Sequence, residues 1–348
     1  MKHAINMVLT EHMEAYESLK GQDFISINDF SIDDILSVIS LAKEIKVAKK
    51  DKNYWYYNRI LEGKILLSAF LEGSTRTRLS FESAMMQLGG RVLDFKSKES
   101  SLKKGESIED TFKCVGYCCD VIILRSDDPK YVYDVAKATE IPVINAGNGD
   151  MEHPTQALKD LFAIQEFKGD LNLTDYTSTF IGDMRYSRTV HSLVYPLVKL
   201  GCNIVLIAPQ QLRMNQSDIK NFGGHVEEVT IELDEHRQSI LEQKNVIEAI
   251  KKSNILYATR IQKERFTKES LFSDEELEIF EDMYQIDNQI LIHNPKIGLM
   301  HPLPRVKGRA RELLAELDET KNALYFKPQA EGGLYTAMAL LTFICFDP

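Results

Sequence analysis

The sequence predicts an α/β protein of two domains, each a parallel sheet flanked by helices in a doubly wound arrangement. Short apolar runs typical of buried strands alternate along the chain with segments whose apolar residues recur at helical spacing. Such βαβα alternation implies parallel strands with helices on both faces of the sheet. The chain has 348 residues, which is more than one hydrophobic core usually serves, so two domains are expected.

The first strand is predicted at residues 64–71, and the helix that follows it, at 79–88, ends at Gly89 and Gly90. Apolar runs predict further strands at residues 120–125, 141–145, 177–182, 203–208, 255–259 and 297–300. Helical spacing predicts further helices at residues 130–140, 154–167, 188–200 and 241–252. The acidic segment 272–282 is expected to be a solvated helix or loop. Because no low-complexity linker is present, the long helix that begins near His153 is expected to join the two α/β halves.

Composition limits the kinds of partner that the chain can have. Its formal net charge of −10 argues against binding to nucleic acid or to an anionic membrane surface. No apolar run has the length of a membrane span, and the N-terminal sequence has no long apolar segment, so a cytoplasmic location is expected. None of the five cysteines has zinc-ligand spacing, and Cys114 and Cys118 are expected to be reduced core residues on one helix face.

The most informative segment is Ser74-Thr75-Arg76-Thr77-Arg78, which lies between the first strand and its helix. Helix N-termini carry unpaired N–H groups and a partial positive charge, so they bind anions. Arg76 adds a planar group that matches phosphate oxygens. The segment therefore predicts a phosphate-bearing substrate. The structural alternative is that Ser74 caps the helix and both arginines lie at the surface.

Several other predicted strands are followed by polar residues that suit an anionic ligand: Arg125, His153, Arg188, Arg260 and the region of His301. In open α/β sheets, ligands bind at the carboxyl ends of the strands, so we expect these residues to belong to one site. Each residue alone also has a structural explanation. Arg188, for example, could pair with Asp183.

Motifs for phosphate-loop, dinucleotide, serine-hydrolase and zinc-protease chemistry are absent from the sequence. We therefore expect neither a cofactor nor a metal ion. The residues that remain are arginines, a neutral histidine and amides. They suit catalysis by positioning and by stabilisation of developing negative charge.

Five segments together resemble the aspartate carbamoyltransferase branch of the aspartate/ornithine carbamoyltransferase superfamily: residues 70–82, 153–158, 182–193, 259–266 and 300–305. The Ser-Thr-Arg-Thr-Arg motif resembles the signature of the whole superfamily. The His-Pro-Thr-Gln and His-Pro-Leu-Pro motifs resemble the aspartate branch, since the ornithine branch has cysteine in the corresponding motifs. The similarity runs from about residue 24 to the C-terminus.

The resemblance implies transfer of the carbamoyl group from carbamoyl phosphate to the α-amine of L-aspartate, giving N-carbamoyl-L-aspartate and phosphate for pyrimidine synthesis. It implies a carbamoyl phosphate-binding domain at residues 1–155 with a C-terminal helix at 326–348, and an aspartate-binding domain at 156–325. It also implies a homotrimer with active sites shared between subunits. Regulatory chains or other enzymes of the pathway are further candidate partners.

The resemblance also assigns roles by position. The catalytic groups would be Arg76, Thr77, Arg125 and His153. The phosphate would be held by Ser74, Thr75, Arg76, Thr77 and Arg125. The carbonyl oxygen would accept from Thr77, Arg125 and His153. The carbamoyl NH₂ would be oriented by Gln156 and the backbone carbonyls of Leu303 and Pro304. Aspartate would be bound by Arg188, Arg260, Gln262 and Lys104. The neighbouring subunit would contribute Ser101 and Lys104.

The chain departs from the family pattern at two places. Where the family has an acidic residue soon after Val306, this chain has Lys307. Where the family has an arginine near the C-terminus, this chain has Ala337. An acidic and a basic group are thus both missing, which puts contacts between domains or subunits in question.

Two other functions remain open. A carbamoyltransferase for another amino compound would keep the carbamoyl phosphate half and change the acceptor half, whereas Arg188, Arg260 and Gln262 favour a dicarboxylate. A catalytically silent scaffold should have lost at least one of the key polar residues Arg76, Lys104, His153 and Arg260, and none is lost.

Overall fold

The computed structural model describes residues 11–50, 52–96, 100–237, 239–262, 271–305 and 312–347. The chain divides into two compact units, which we call unit 1 (Met1–Ile164 with Ala330–Pro348) and unit 2 (Gln165–Gln329). The divisions predicted from the sequence follow residues 155 and 325. Both units contain a parallel sheet flanked by helices, which confirms the predicted fold class.

The strands in chain order are β1 (Ile65–Phe70), β2 (Arg91–Asp94), β3 (Val121–Ser126), β4 (Val143–Asn148), β5 (Thr177–Ile181), β6 (Asn203–Pro209), β7 (Val226–Ile231), β8 (Ile255–Ala258) and β9 (Gly298–Met300). The helices in chain order are α1 (Met13–Leu19), α2 (Ile32–Ala48), α3 (Arg76–Gln87), α4 (Ile108–Val115), α5 (Tyr131–Ala138), α6 (Pro154–Lys168), α7 (Arg188–Lys199), α8 (Gln216–Phe222), α9 (Lys244–Lys252), α10 (Asp274–Met283), α11 (Gln289–His293) and α12 (Glu331–Cys345).

Unit 1 has a four-stranded parallel sheet in the order β2-β1-β3-β4. One face packs on α4 and α5 through a core that includes Leu67, Leu124 and Phe112. On α3, Glu82 accepts a hydrogen bond from Ser68 of β1 at 2.7 Å. Because β2 and β3 lie on opposite sides of β1, the strand order reverses between β1 and β3. Ligands bind at such switch points in doubly wound sheets.

Unit 2 has a five-stranded parallel sheet in the order β7-β6-β5-β8-β9. Its strand order reverses between β5 and β8, whose residues pair in register from Ser178 with Ile255 to Ile181 with Ala258. The switch point therefore lies where Gly182 follows β5 and Thr259 follows β8. The acidic segment after residue 272 forms α10, which begins with a capping box at Ser273.

The two strands that the sequence analysis did not identify, β2 and β7, are the outer strands of their sheets. Most residues of β2 are exposed, and β7 has the mixed sequence Val-Glu-Glu-Val-Thr-Ile, so neither shows the apolar run of a buried strand. The expectation that Cys114 and Cys118 are core residues is wrong, because both are exposed. No helix in the described ranges has the length and apolarity that crossing a bilayer requires.

Candidate active site

The predicted phosphate-binding segment lies at the switch point of unit 1, between β1 and the start of α3. Helix α3 begins at Arg76, earlier than predicted, so Arg76 and Thr77 form its first turn. The capping position is occupied by Thr75 and not by Ser74, and its side chain makes no capping hydrogen bond. The N–H groups of this first turn therefore point to a position that suits an anion.

The two arginines of this segment differ in their contacts. Arg78 donates from Nε to Glu82 Oε1 at 2.7 Å and from Nη2 to Asp94 Oδ1 at 3.0 Å, so it serves the structure of the unit. Arg76 makes no hydrogen bond or ion pair with the described part of the chain, and its side chain lines a cavity. Arg76 is thus the arginine that can take up a ligand.

The cavity has a volume of about 240 Å³ and lies wholly within unit 1. Its polar lining comes from the start of α3 and the start of α6: Arg76, Thr77, Ser80, His153, Thr155, Gln156 and Lys159. Segments far apart in the sequence thus converge on one space. Of the strand-end residues predicted to share a site with Arg76, only His153 is among those that line this cavity.

Arg125 lies at the end of β3, opposite Phe70 of β1. Its Nε donates to Glu72 Oε2 at 3.0 Å, and its Nη1 donates to the carbonyl oxygen of Ala146 at 3.3 Å. Burial lowers the pKa of Arg125, and burial together with the nearby charge of Arg125 lowers the pKa of Arg76. Each of these cations makes the charged form of the other less favourable, so a bound anion would stabilise both.

His153 is buried at the N-terminal end of α6, between Arg125 and Thr155. Its Nε2 lies 3.5 Å from Arg125 Nη1, and its Nδ1 lies 3.2 Å from Thr155 Oγ1. Because a guanidinium group only donates, a hydrogen bond between these two atoms requires Nε2 to be the acceptor, which leaves a ring proton on Nδ1. The Thr155 hydroxyl can also donate, so the ring can change tautomer and still keep this contact.

Gln156 is held by a neighbour one helical turn away. Its Nε2 donates to Asp160 Oδ1 at 2.7 Å, and Asp160 is fully buried. The amide is therefore fixed with its carbonyl oxygen available as an acceptor. A carbamoyl NH₂ group needs such an acceptor, which fits the role that the resemblance implies.

In unit 2 the switch point is held together by the hydroxyl of Tyr284. This hydroxyl contacts the carbonyl oxygens of Ile181 and Thr259 at 2.6 and 3.0 Å and the N–H of Thr259 at 3.0 Å. The N–H of Asp183 donates to Thr259 Oγ1 at 2.7 Å. Gly182, between them, has φ +112°, which disfavours any side chain at this position. The ends of β5 and β8 are thus fixed to each other.

The predicted acceptor-binding residues lie at this switch point. Arg188 is the first residue of α7, and Arg260 follows Thr259; both are half-buried. Gln262 Nε2 donates to Asp183 Oδ2 at 3.2 Å and to the carbonyl oxygen of Tyr186 at 3.1 Å. Both donors of Gln262 are engaged, so in this geometry it offers an acceptor oxygen, whereas a carboxylate ligand needs a donor.

The loop that carries Leu303 and Pro304 is connected to the segment after β8 by two buried residues, His301 and Glu312. His301 Nδ1 accepts from the N–H of Leu303 at 2.8 Å, and His301 Nε2 lies 3.6 Å from Glu312 Oε2. Glu312 Oε1 accepts from the N–H of Ile261 at 3.2 Å. Glu312 is a buried acidic residue that follows the loop, whereas Lys307 lies outside the described residues.

Ser101 and Lys104, predicted to serve the site of a neighbouring subunit, form a short 3₁₀ helix at Ser101–Lys104. Both side chains are exposed, and neither lines the cavity of unit 1. The helix ends at Gly105, whose φ is +88°. Their placement at the surface suits the predicted role, because a residue that enters another subunit must project from its own.

Several site residues were missed by the sequence analysis: Glu72, Thr155, Lys159, Asp160, Asp183 and Tyr284. The spacing of Gln156 and Asp160, one turn apart on a predicted helix, could have identified that pair. No local pattern marks Tyr284, which contacts Ile181 from 103 residues away. The described residues contain no group of three or more histidine, cysteine or acidic residues arranged to hold a metal ion.

Comparison with known proteins identifies the family of both units. Residues 22–166 match the family model described as aspartate/ornithine carbamoyltransferase, carbamoyl-P binding domain. Residues 174–344 match the model described as aspartate/ornithine carbamoyltransferase, Asp/Orn binding domain. The second match extends through α12, which belongs to unit 1 in the folded chain.

Among its relatives, the chain is 42% identical over 324 residues to the aspartate carbamoyltransferase catalytic subunit of Thermococcus kodakarensis, covering 92% of this chain and 96% of the relative. It is 40% identical over 335 residues to the catalytic subunit of Clostridium perfringens (93% and 97% covered). The crystal structure of Trypanosoma cruzi aspartate transcarbamoylase with carbamoyl phosphate has a TM-score of 0.81 at 33% identity (94% and 97% covered). The same enzyme with carbamoyl phosphate and aspartate gives a TM-score of 0.79 at 33% identity (94% and 98% covered). From the two family models and the near-complete coverage of these relatives, the chain belongs to the aspartate/ornithine carbamoyltransferase family.

Proposed function

We propose that this chain is the catalytic chain of an aspartate carbamoyltransferase, which transfers the carbamoyl group of carbamoyl phosphate to the α-amine of L-aspartate. The observation that carries the proposal is the cavity of unit 1, where Arg76, Thr77, His153 and Gln156 converge. Its cations suit a phosphate group and its amide oxygen suits a carbamoyl NH₂. Relatives at about 40% identity are named for this reaction.

In the proposed reaction the amine nitrogen attacks the carbonyl carbon, and negative charge grows on the carbonyl oxygen. The bond to the phosphate oxygen then breaks, and the leaving phosphate takes up the proton that the amine loses. Arg125 and Thr77 donate hydrogen bonds to the developing oxyanion. His153 joins them as a neutral donor once its proton lies on Nε2, with Thr155 then donating to Nδ1. Ser74, Thr75 and Arg76 bind the leaving phosphate at the start of α3.

In unit 2, Arg188 and Arg260 bind the two carboxylates of aspartate. The contacts of Gln262 to Asp183 and Tyr186 favour a modified role for this amide, in which its oxygen accepts a hydrogen bond from the amine of the acceptor. Unit 1 is then the carbamoyl phosphate-binding domain and unit 2 the aspartate-binding domain. The resemblance adds the backbone carbonyls of Leu303 and Pro304 as further acceptors for the carbamoyl NH₂.

The proposal includes a homotrimer in the cytoplasm in which Ser101 and Lys104 of one subunit serve the site of the next. Their exposure on unit 1 supports this arrangement. A place in pyrimidine synthesis follows from the proposed product, and regulatory chains or other enzymes of that pathway are candidate partners.

The decisive experiment measures ureido-product formation from carbamoyl phosphate with L-aspartate and L-ornithine in parallel. Product with aspartate, and little or none with ornithine, is expected. Turnover with another amine but not with aspartate would favour the alternative acceptor. Failure with every acceptor would favour the silent scaffold.

Subunit sharing is tested by mixing two inactive variants, Arg76→Ala and Lys104→Ala. If sites are shared, exchange of subunits forms sites that carry neither substitution, and part of the activity returns. Verified subunit exchange without recovered activity would contradict the shared site. Each variant incubated alone is the control.

A further inference from the structure

The cavity of unit 1 contains a cation to which the proposed reaction assigns no role. Lys159 lies on α6, three residues after Gln156, so both side chains are on the same face of the helix. Side chains of a helix tilt toward its N-terminus, which here is the end that carries His153. Lys159 lines the same cavity as Arg76 and Thr77, which form the first turn of α3 at the predicted phosphate position.

The packing around Lys159 leaves a path for this side chain. A Cβ atom placed on Gly333 of α12 would lie 3.2 Å from Lys159 Cδ and 3.3 Å from Ser80 Oγ of α3. Glycine at this position thus gives room to the lysine stem between three helices. Lys159 makes no hydrogen bond or ion pair with the described residues, although Asp160 and Arg76 act on it electrostatically.

We propose that Lys159 is a substrate-binding residue, which contacts the phosphate group of carbamoyl phosphate and the phosphate product beside Arg76. The inference rests on the proposed function, since it adds a contact to the same site. Arg76 and Lys159 line one cavity of about 240 Å³ and repel each other electrostatically, and a phosphate dianion between them would stabilise both charges.

Lys159 also predicts how phosphate binding depends on pH. Burial, with the charge of Arg76, lowers the pKa of Lys159 to about 8, although Asp160 raises it. The ionisable groups on the surrounding elements are Asp160, His153, Arg76, and Glu331, which pairs with Lys46 at 3.1 Å. A bound dianion favours the charged lysine, so its pKa rises in the complex. Lys159 therefore contributes fully to phosphate affinity below a pH of about 8. This contribution is lost as the pH rises through the pKa that Lys159 has in the complex.

The test is calorimetric titration of the whole protein with inorganic phosphate between pH 7.5 and 9.5. We expect Lys159→Met to weaken phosphate binding about 10-fold or more at pH 7.5, as is typical for a hydrogen bond to a charged group. The difference from the wild type should shrink toward pH 9.5. Comparing the two proteins at each pH cancels the ionisation of phosphate itself.

Two further variants separate a direct contact from other causes. Lys137→Met, on the exposed side of α5, makes the same change in net charge away from the cavity and should leave phosphate affinity unchanged. Lys159→Arg should bind phosphate more tightly than the wild type at pH 9.5, because arginine stays charged. Equal phosphate affinities of wild type and Lys159→Met at every pH would overturn the inference while leaving the proposed function intact. A wild type that binds no phosphate would overturn both.

Discussion

Gly182 gives the sharpest test of how unit 2 holds its proposed aspartate-binding residues. A Cβ atom at this position would lie 2.6 Å from Thr259 Oγ1 and closer still to the hydroxyl oxygen of Tyr284. Gly182→Ala must therefore displace the hydroxyl that joins the ends of β5 and β8. The strain of a side chain at φ +112° adds to this clash.

The magnitude follows from separate contributions. A non-glycine residue in this region costs about 1–3 kcal/mol, and overpacking of a buried site costs about 1–3 kcal/mol. Displacement of Tyr284 also weakens its hydrogen bonds, each worth about 1 kcal/mol. We expect Gly182→Ala to lower the free energy of unfolding by roughly 3–6 kcal/mol, a large part of the stability of an ordinary domain.

Gly169 offers a matched control in the same unit. Its φ is +104°, and a Cβ atom there would meet nothing within 4 Å. Gly169→Ala should therefore show only the conformational strain, about 1–3 kcal/mol. The difference between the two variants measures the clash at Tyr284.

The assay combines urea unfolding, followed by circular dichroism, with steady-state kinetics. Because the single tryptophan, Trp55, lies in unit 1, its emission reports separately on the unit that contains the cavity. We expect Gly182→Ala to raise the KM for aspartate about 10-fold or more, with phosphate affinity unchanged. Equal losses of stability in the two variants, or an unchanged KM for aspartate, would refute this account of the switch point.

Three further variants test unit 1. Arg76→Ala should lower kcat/KM by about 10²–10³-fold, as loss of one preorganised donor does; a folded variant with near-normal turnover would remove Arg76 from the phosphate site. Thr155→Val removes the partner of His153 Nδ1 and should lower kcat about 10-fold or more, while the phosphate affinity, measured by calorimetry, stays within about 3-fold; an unchanged kcat would contradict the proposed tautomer change. Asp160→Asn removes the charge that raises the pKa of Lys159, so the loss of phosphate affinity with rising pH should begin at lower pH than in the wild type, and an unshifted profile would contradict this coupling.

The fold class could be predicted because the inner strands of both sheets are apolar on both faces. Their sequences are therefore nearly continuous apolar runs, such as Ile65–Phe70. The outer strand β2 could not be predicted, because it is four residues long and most of its side chains are exposed. Helix α9 begins later than predicted, since the preceding apolar residues form a 3₁₀ turn at Ile240–Glu242. Periodicity does not distinguish such a turn from the first turn of a helix.

The candidate site likewise has features that the local sequence predicts and features that depend on tertiary contacts. The segment around Arg76 was predictable because a strand, a turn and a helix follow one another locally, and the chemistry lies at their junction. The direction of the Gln262 amide was not predictable, because it depends on Asp183, 79 residues away. The choice of acceptor nitrogen on His153 likewise depends on Arg125 of β3, which is 28 residues away. Residue type thus identifies the groups of a site, whereas tertiary contacts decide which atom of each group is available.

The departure at Ala337 can be understood from the helix that carries it. Ala337 is almost fully buried and lies one turn after Gly333, so both are on the same side of α12. Lys159 of α6 passes over Gly333 on that side. A cation therefore reaches this side of α12 from the facing helix, although α12 itself has no arginine at position 337. An arginine at residue 337 would add a third cation to Lys159 and Arg76, and mutual repulsion would oppose all three. The absence of that arginine and the presence of Lys159 are thus electrostatically consistent.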